Sequence, residues 1–205
     1  MFVQVIQGRV RDTDAARATM DRWLTDLQPG AVGWLGGTFG FTDAGVLCAI
    51  VRFDSEAAAQ ANSARPEQVA WWEEMSRHFE GPVTFHDCSD VQLLVGGGSD
   101  EAGFVQLIQG RVTDRDAVHK LLDQSSEVIS EYRHDVLGAT ICIDDDGFFT
   151  EVVFFTSESA AREGEKQEMP AAVQELVEEE MRLVDDVQFL DLHEPWFATA
   201  RQNRQ

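Results

Sequence analysis

The sequence predicts an α+β fold made of two tandem copies of one β-α-β-β-α-β module. Three observations carry this. Residues 2–10 read FVQVIQGRV and residues 104–112 read FVQLIQGRV, and the match runs on for about sixty residues at a constant spacing of 102. Within each copy the apolar spacing alternates between a period of two and a helical period, in the same order. Between the copies lies GGGSDEAG (96–103), polar and Gly-rich as a flexible connector should be. Along the repeat, Asp12, Gly36, Thr38, Asp43, Gly45, Phe53, Ser55, Glu56 and Ala58 return as Asp114, Gly138, Thr140, Asp145, Gly147, Phe155, Ser157, Glu158 and Ala160. Pro66 and Phe85 return as Pro170 and Phe189, now 104 apart, so the second copy carries a two-residue insertion between roughly 162 and 170. The predicted organisation is a first repeat at 1–95, a linker at 96–103, a second repeat at 104–197 and a tail at 198–205.

The elements follow in order. The first strand alternates Phe2, Gln4, Ile6 and Gly8 against Val3, Val5, Gln7 and Arg9. Asp12 or Thr13 offers an N-cap to a helix whose apolar stripe is Ala16, Met20, Trp23 and Leu27, and Pro29-Gly30 ends it. Two β-rich runs, 31–41 and 46–53, meet at Thr42-Asp43-Ala44-Gly45, a hairpin signal. Ser55 caps a second helix that Pro66 breaks and restarts, with Val69, Trp72 and Phe79 on its expected inner face. A last strand begins near Val83. The second copy repeats the plan, with Val118, Leu121, Leu122 and Val128 in its first helix and Val173, Leu176 and Leu183 on its second.

The composition narrows the partners. With 37 acidic residues against 16 basic ones, the formal charge is -21. Such a surface repels phosphate backbones and anionic lipid, so neither nucleic acid nor membrane is expected as a partner. No apolar run is long enough to span a bilayer, and MFVQVIQGRV reads as a strand rather than a signal peptide. Cys48, Cys88 and Cys142 form no CxxC pair, which suits a cytoplasmic protein. Several chemistries lack their signatures: there is no GxxxxGK[ST] loop, no post-strand GxGxxG and no GxSxG elbow. Asp144-Asp145-Asp146-Gly147 fails the EF-hand pattern, which would put Cys142 first and Val153 twelfth, and the five histidines are too scattered for zinc.

A ferredoxin-like unit puts both helices on one sheet face and leaves the other bare. Two units in one chain can cover each other, packed sheet-to-sheet as a pseudo-dimeric α/β barrel. In element order and repeat, over almost its whole length, the chain resembles the dimeric α/β-barrel superfamily in tandem-fused form. That superfamily includes cofactor-independent quinol or antibiotic-biosynthesis monooxygenases, haem-degrading enzymes, chlorite dismutase relatives and muconolactone isomerase. The resemblance implies a small-molecule pocket between helices and sheet, no cofactor, and a chain that is a monomeric pseudo-dimer or a homodimer.

The two copies serve as a control on each other: a polar or aromatic group present in one copy only is a functional candidate. Trp72 stands where the second copy has Leu176, as a core residue or a pocket wall; Trp34, opposite Val136, reads the same way. His86 stands where the second copy has Leu190, either a satisfied core histidine or a general base poised near neutral pH. Asn62 and Arg65, at the helix break, either cap the two helix pieces or present an amide and a guanidinium to a ligand. Trp71 and His78 face Glu175 and Arg182 in the comparison and are expected at the surface. Gln7 and Gln109, kept in both copies, are expected chiefly to hydrogen-bond between sheets, with a polar pocket lining as the second reading. The functional expectation is a monooxygenase-like enzyme acting on a small aromatic or quinol-like substrate in a first-repeat pocket. The alternative is a non-catalytic binder of a small apolar or aromatic ligand. Haem-degrading relatives pair a histidine and a tryptophan on the second helix with a first-strand asparagine. Trp71 or Trp72 with His78 approaches that pattern, but at closer spacing and with Gln4 or Gln7 on the strand.

Overall fold

The computed structural model describes residues 1–168 and 170–200, and it forms two compact units. The first unit contains β1 (Phe2–Arg9), α1 (Thr13–Asp26), β2 (Trp34–Phe41), β3 (Val46–Phe53), α2 (Glu56–Ser63), α3 (Pro66–Met75) and β4 (Thr84–Cys88). The second contains β5 (Asp90–Leu94), β6 (Phe104–Val112), α4 (Arg115–Tyr132), β7 (Val136–Ile143), β8 (Phe148–Phe155), α5 (Glu158–Gly164), α6 (Ala171–Arg182) and β9 (Val184–Leu192). The last strand, β10 (Trp196–Thr199), belongs to the first unit. The side chains of Val128 and Val173, and residues 201–205 of the tail, lie outside the described residues.

Each unit is an antiparallel five-stranded sheet with helices, α+β in class. The order is β10-β2-β3-β1-β4 in the first and β5-β7-β8-β6-β9 in the second. The four strands of each repeat take ferredoxin-like order, and a fifth is added at the free edge of β2 or β7. The compact units therefore depart from the repeat boundaries read in the sequence: residues 90–94 follow the first repeat but pair in the second sheet, and 196–199 follow the second repeat but pair in the first. An unpaired edge is a liability, and the added strand covers it.

Local signals explain the elements. Asp12 accepts from the Ala15 amide at 3.0 Å and Ser55 from the Ala58 amide at 3.2 Å, so both sequence-predicted N-caps form. The helix ends at Ser63 and restarts at Pro66, where a missing N–H costs nothing. The two hairpins turn at Gly45 (φ +72°) and Gly147 (φ +82°), left-handed positions that glycine adopts without strain. On the helix side of the first sheet, Ile6, Phe39, Leu47, Ala49 and Val51 meet Ala16, Met20 and Met75. In the second unit Ile141, Phe149, Val153 and Phe155 meet Val118 and Leu122. On the opposite face Val3, Val5, Cys48, Val105, Leu107 and Val152 are buried as well.

Candidate functional site

Between the helices and the sheet of the first unit lies a cavity of about 610 Å³, counting its open mouth. Gln4 and Ile6 of β1, Phe39 of β2, and Ala49 and Val51 of β3 form its floor; Met20 and Trp23 of α1 with Gln68, Trp71, Trp72 and Met75 of α3 form its roof. The α3 contributors recur at helical spacing, so one helix face supplies them all. The inner face of this helix is therefore Gln68, Trp71, Trp72 and Met75. Val69, expected inside, is 47% exposed, and Trp71, expected at the surface, lines the cavity and donates its Nε1–H to the Thr19 carbonyl at 3.0 Å. The rings run as a continuous wall: Trp34 to Trp23 at 5.6 Å, Trp23 to Trp71 at 6.3 Å, Trp71 to Trp72 at 6.1 Å, and Trp72 edge-on to Phe85 at 5.2 Å.

Three sequence-predicted residues, Trp34, Trp72 and Asn62, line this one cavity. Trp34 is 4% exposed, and among the described residues its Nε1–H has no acceptor. A buried donor left without a partner is costly, and a ligand oxygen in the cavity would satisfy it. Asn62 is 6% exposed, and its Oδ1 accepts from Arg65 Nη1 at 3.0 Å. A guanidinium only donates, so this contact assigns the amide oxygen to Arg65 and leaves Nδ2 as the donor end of a side chain that lines the cavity. Arg65 itself stands behind the wall. It also donates to the Leu27 carbonyl at 3.1 Å and pairs with Glu67 at 2.8 Å, thereby tying the end of α1 to the α2–α3 break. Glu67 is held below the usual carboxylate range by its backbone hydrogen bond and by Arg65. Among the described residues, no side chain lining the cavity is titratable.

His86 is not brought to this site. In the β1–β4 register Gln4 pairs with Asp87 and Ile6 with Phe85, whereas His86 pairs with Val5. Successive strand residues point to opposite faces, so His86 lies on the face away from the cavity. His78 sits in the turn after α3, its Nε2 2.9 Å from Thr19 Oγ1, and is not among the lining residues, so the arrangement expected of haem-degrading relatives does not form around the cavity. Gln7 and Gln109 bond within their own sheets, to Cys48 Sγ at 3.4 Å and Thr150 Oγ1 at 3.0 Å.

At the equivalent positions of the second unit, Leu47 and Ala49 are replaced by the larger Phe149 and Glu151. Glu151 is 8% exposed on the helix side of β8. Burial, and the neighbouring Glu180 carboxyl of α6, push it well above the usual carboxylate range, and burial raises Glu180 to about 7. The sequence carried this signal: one carboxylate in FFTEVVFF where the sister strand has Ala49. Glu158, Asp191 and His193 also converge in this unit, but the Arg162 guanidinium already pairs with Asp191 and lies 3.6 Å from Glu158. That cluster is an internal ion network around an arginine.

No family model and no curated protein matches the chain. Solved structures do. A candidate monooxygenase from Lactobacillus acidophilus NCFM matches with a TM-score of 0.73 at 14% identity, over 97% of this chain and 95% of that one. A candidate monooxygenase from Fusobacterium nucleatum matches with a TM-score of 0.73 at 8% identity, over 97% and 94%. An anthrone oxidase-like protein matches with a TM-score of 0.70 at 10% identity, over 98% and 94%. At such identities the likeness establishes architecture. The chain has the α+β ferredoxin-like fold of these monooxygenase-like proteins, along nearly its whole length.

Proposed function

We propose that the first-unit cavity takes a flat phenolic or quinol-like aromatic molecule and supports its cofactor-independent reaction with dioxygen. One observation carries the reading: the aromatic-walled cavity is lined by Trp34, whose buried Nε1–H has no acceptor among the described residues, and by the amide of Asn62, with no titratable side chain among its described lining residues. The walls suit a planar ring system. The donors suit an oxygen on which negative charge develops, as in a phenolate or enolate. With no base in the lining, the substrate supplies its own acidity and loses its proton to water on entry. The ring anion then gives an electron to dioxygen, the two radicals join as a peroxide, and loss of water leaves a carbonyl. For anthrone the balance is anthrone plus O2 giving anthraquinone plus water. The likeness to an anthrone oxidase-like protein makes anthrone the first compound to try.

The test is oxygen uptake with anthrone and with simple quinols. Uptake matching quinone formation one to one, and falling at least tenfold in Trp34→Phe or Asn62→Leu, supports the reading. Binding without uptake removes the oxygenase half. The second reading, a non-catalytic aromatic binder, is favoured by the same lack of a titratable group and predicts ligand-induced stabilisation alone.

A further inference from the structure

The second unit holds a cation where the first leaves an opening. In the second unit the Arg162 guanidinium pairs with Asp191, lies 3.6 Å from Glu158, and sits 5.2 Å from the ring centre of Phe104. Gln106 orients Asp191 by donating to Oδ1 at 2.7 Å. The first unit keeps four of the surrounding side chains at repeat-equivalent positions: Phe2, Gln4, Glu56 and Asp87. The registers agree, with Gln4 opposite Val51 and Asp87 as Gln106 is opposite Val153 and Asp191. Gln4 likewise donates to Asp87 Oδ1 at 2.7 Å. What changes is the cation and two of its neighbours: Gln60 stands in place of Arg162, Ser63 in place of Glu165 and Ser89 in place of His193.

Gln60 reaches only Glu56, donating at 2.9 Å, and among the described residues no ion pair involves Glu56 or Asp87. The space that Arg162 fills in its own unit is here an open cleft of about 740 Å³, bordered by Phe2, Gln4, Glu56, Gln60, Ser63 and Asp87. Gln4 and Ser63 border the aromatic cavity too, so the two spaces adjoin.

We infer that this cleft is a cation subsite, and that the ligand of the first-unit cavity is an aromatic molecule bearing an ammonium or guanidinium group. The cation takes the place that Arg162 takes in the sister unit, between the two carboxylates and over the face of Phe2. The inference rests on the aromatic-cavity reading and adds the charge of the substrate. It also excludes carboxylated aromatics, which would meet Glu56 and Asp87 at the mouth.

The test compares two probes of one shape, 2-naphthylmethylammonium and 2-naphthylmethanol, by quenching of tryptophan fluorescence at pH 7. The expected result is binding of the ammonium probe roughly tenfold tighter or more, as a desolvated cation–π contact plus carboxylate pairing gives. Asp87→Asn should erase most of that preference. Gln60→Arg, which installs the sister unit's own cation, should erase it while leaving 2-naphthylmethanol within about twofold. Equal binding of both probes overturns the cation subsite and leaves the aromatic cavity standing. A preference that survives both variants also overturns it. Binding of neither probe overturns the cavity reading and this inference together.

Discussion

Trp34 and Asn62 owe their interest to what surrounds single atoms. Trp34 Nε1 is buried without an acceptor among the described residues, and the Asn62 amide, its oxygen held by Arg65, lines the same cavity. Trp34→Phe keeps the ring and removes the donor. Because removing a costly unsatisfied donor offsets the packing lost to the smaller ring, stability should stay within about 1 kcal/mol by thermal melting, while affinity for a phenolic ligand falls about tenfold. Unchanged affinity would remove Trp34 from the binding role. Cys48 is a second residue-scale case. Burial pushes its thiol up to about 11, against a smaller opposing effect from the Gln7 hydrogen bond. At pH 8 about one molecule in a thousand carries the thiolate, so iodoacetamide should leave the folded protein unmodified at this position and alkylate it fully in denaturant. Both tryptophans and Asn62 were legible in the sequence because each is a one-copy substitution. The direction of Asn62 was not, because it depends on where Arg65 folds back.

At the scale of elements, α3 and β8 show how a period decides a site. Helical spacing from Pro66 turns Trp71 and Trp72 inward together, and the strand alternation that buries Val5 turns His86 away from the cavity. A residue-by-residue comparison of the copies could not see either rotation. On β8, Glu151 faces α6 and Glu180. Both carboxyls titrate above their unfolded value near 4.5, Glu180 at about 7. The folded state therefore binds more protons than the unfolded one between these limits, and stability falls as pH rises through that window. Glu151→Gln should make the fall shallower and raise stability at pH 8 by about 1–2 kcal/mol, after discounting for the partial exposure of Glu180. Urea melts of both proteins at pH 5 and pH 8 check this; parallel pH profiles would count against the pair. The overall charge of -21 acts in both proteins alike, so the difference between them isolates Glu151.

For the whole molecule, the important departure from the repeat is the exchange of fifth strands. β10 lies on the edge of β2, and Trp196 stacks on Phe39 at 5.6 Å and lies tilted against Phe41 at 5.3 Å, with Arg17 4.4 Å above its ring. Ending the chain at Pro195 removes this ring and bares the β2 edge. The urea midpoint should drop by the equivalent of about 3–5 kcal/mol, as for loss of a buried tryptophan, and the truncated protein should associate through the open edge. An unchanged midpoint would mean that β10 is ornamental. The sequence by itself determined the duplication, the element order, the caps, the hairpin turns and the aromatic character of the first repeat, because those are set by local spacing and by comparing one copy with the other. Only the tertiary structure decided the rest: which sheet each fifth strand joins, which face His86 takes, and that Glu56 and Asp87 border an opening where Glu158 and Asp191 hold an arginine. Those depend on pairing between strands far apart in the chain, and on whether a neighbouring side chain is long enough to fill a space, which no local pattern records.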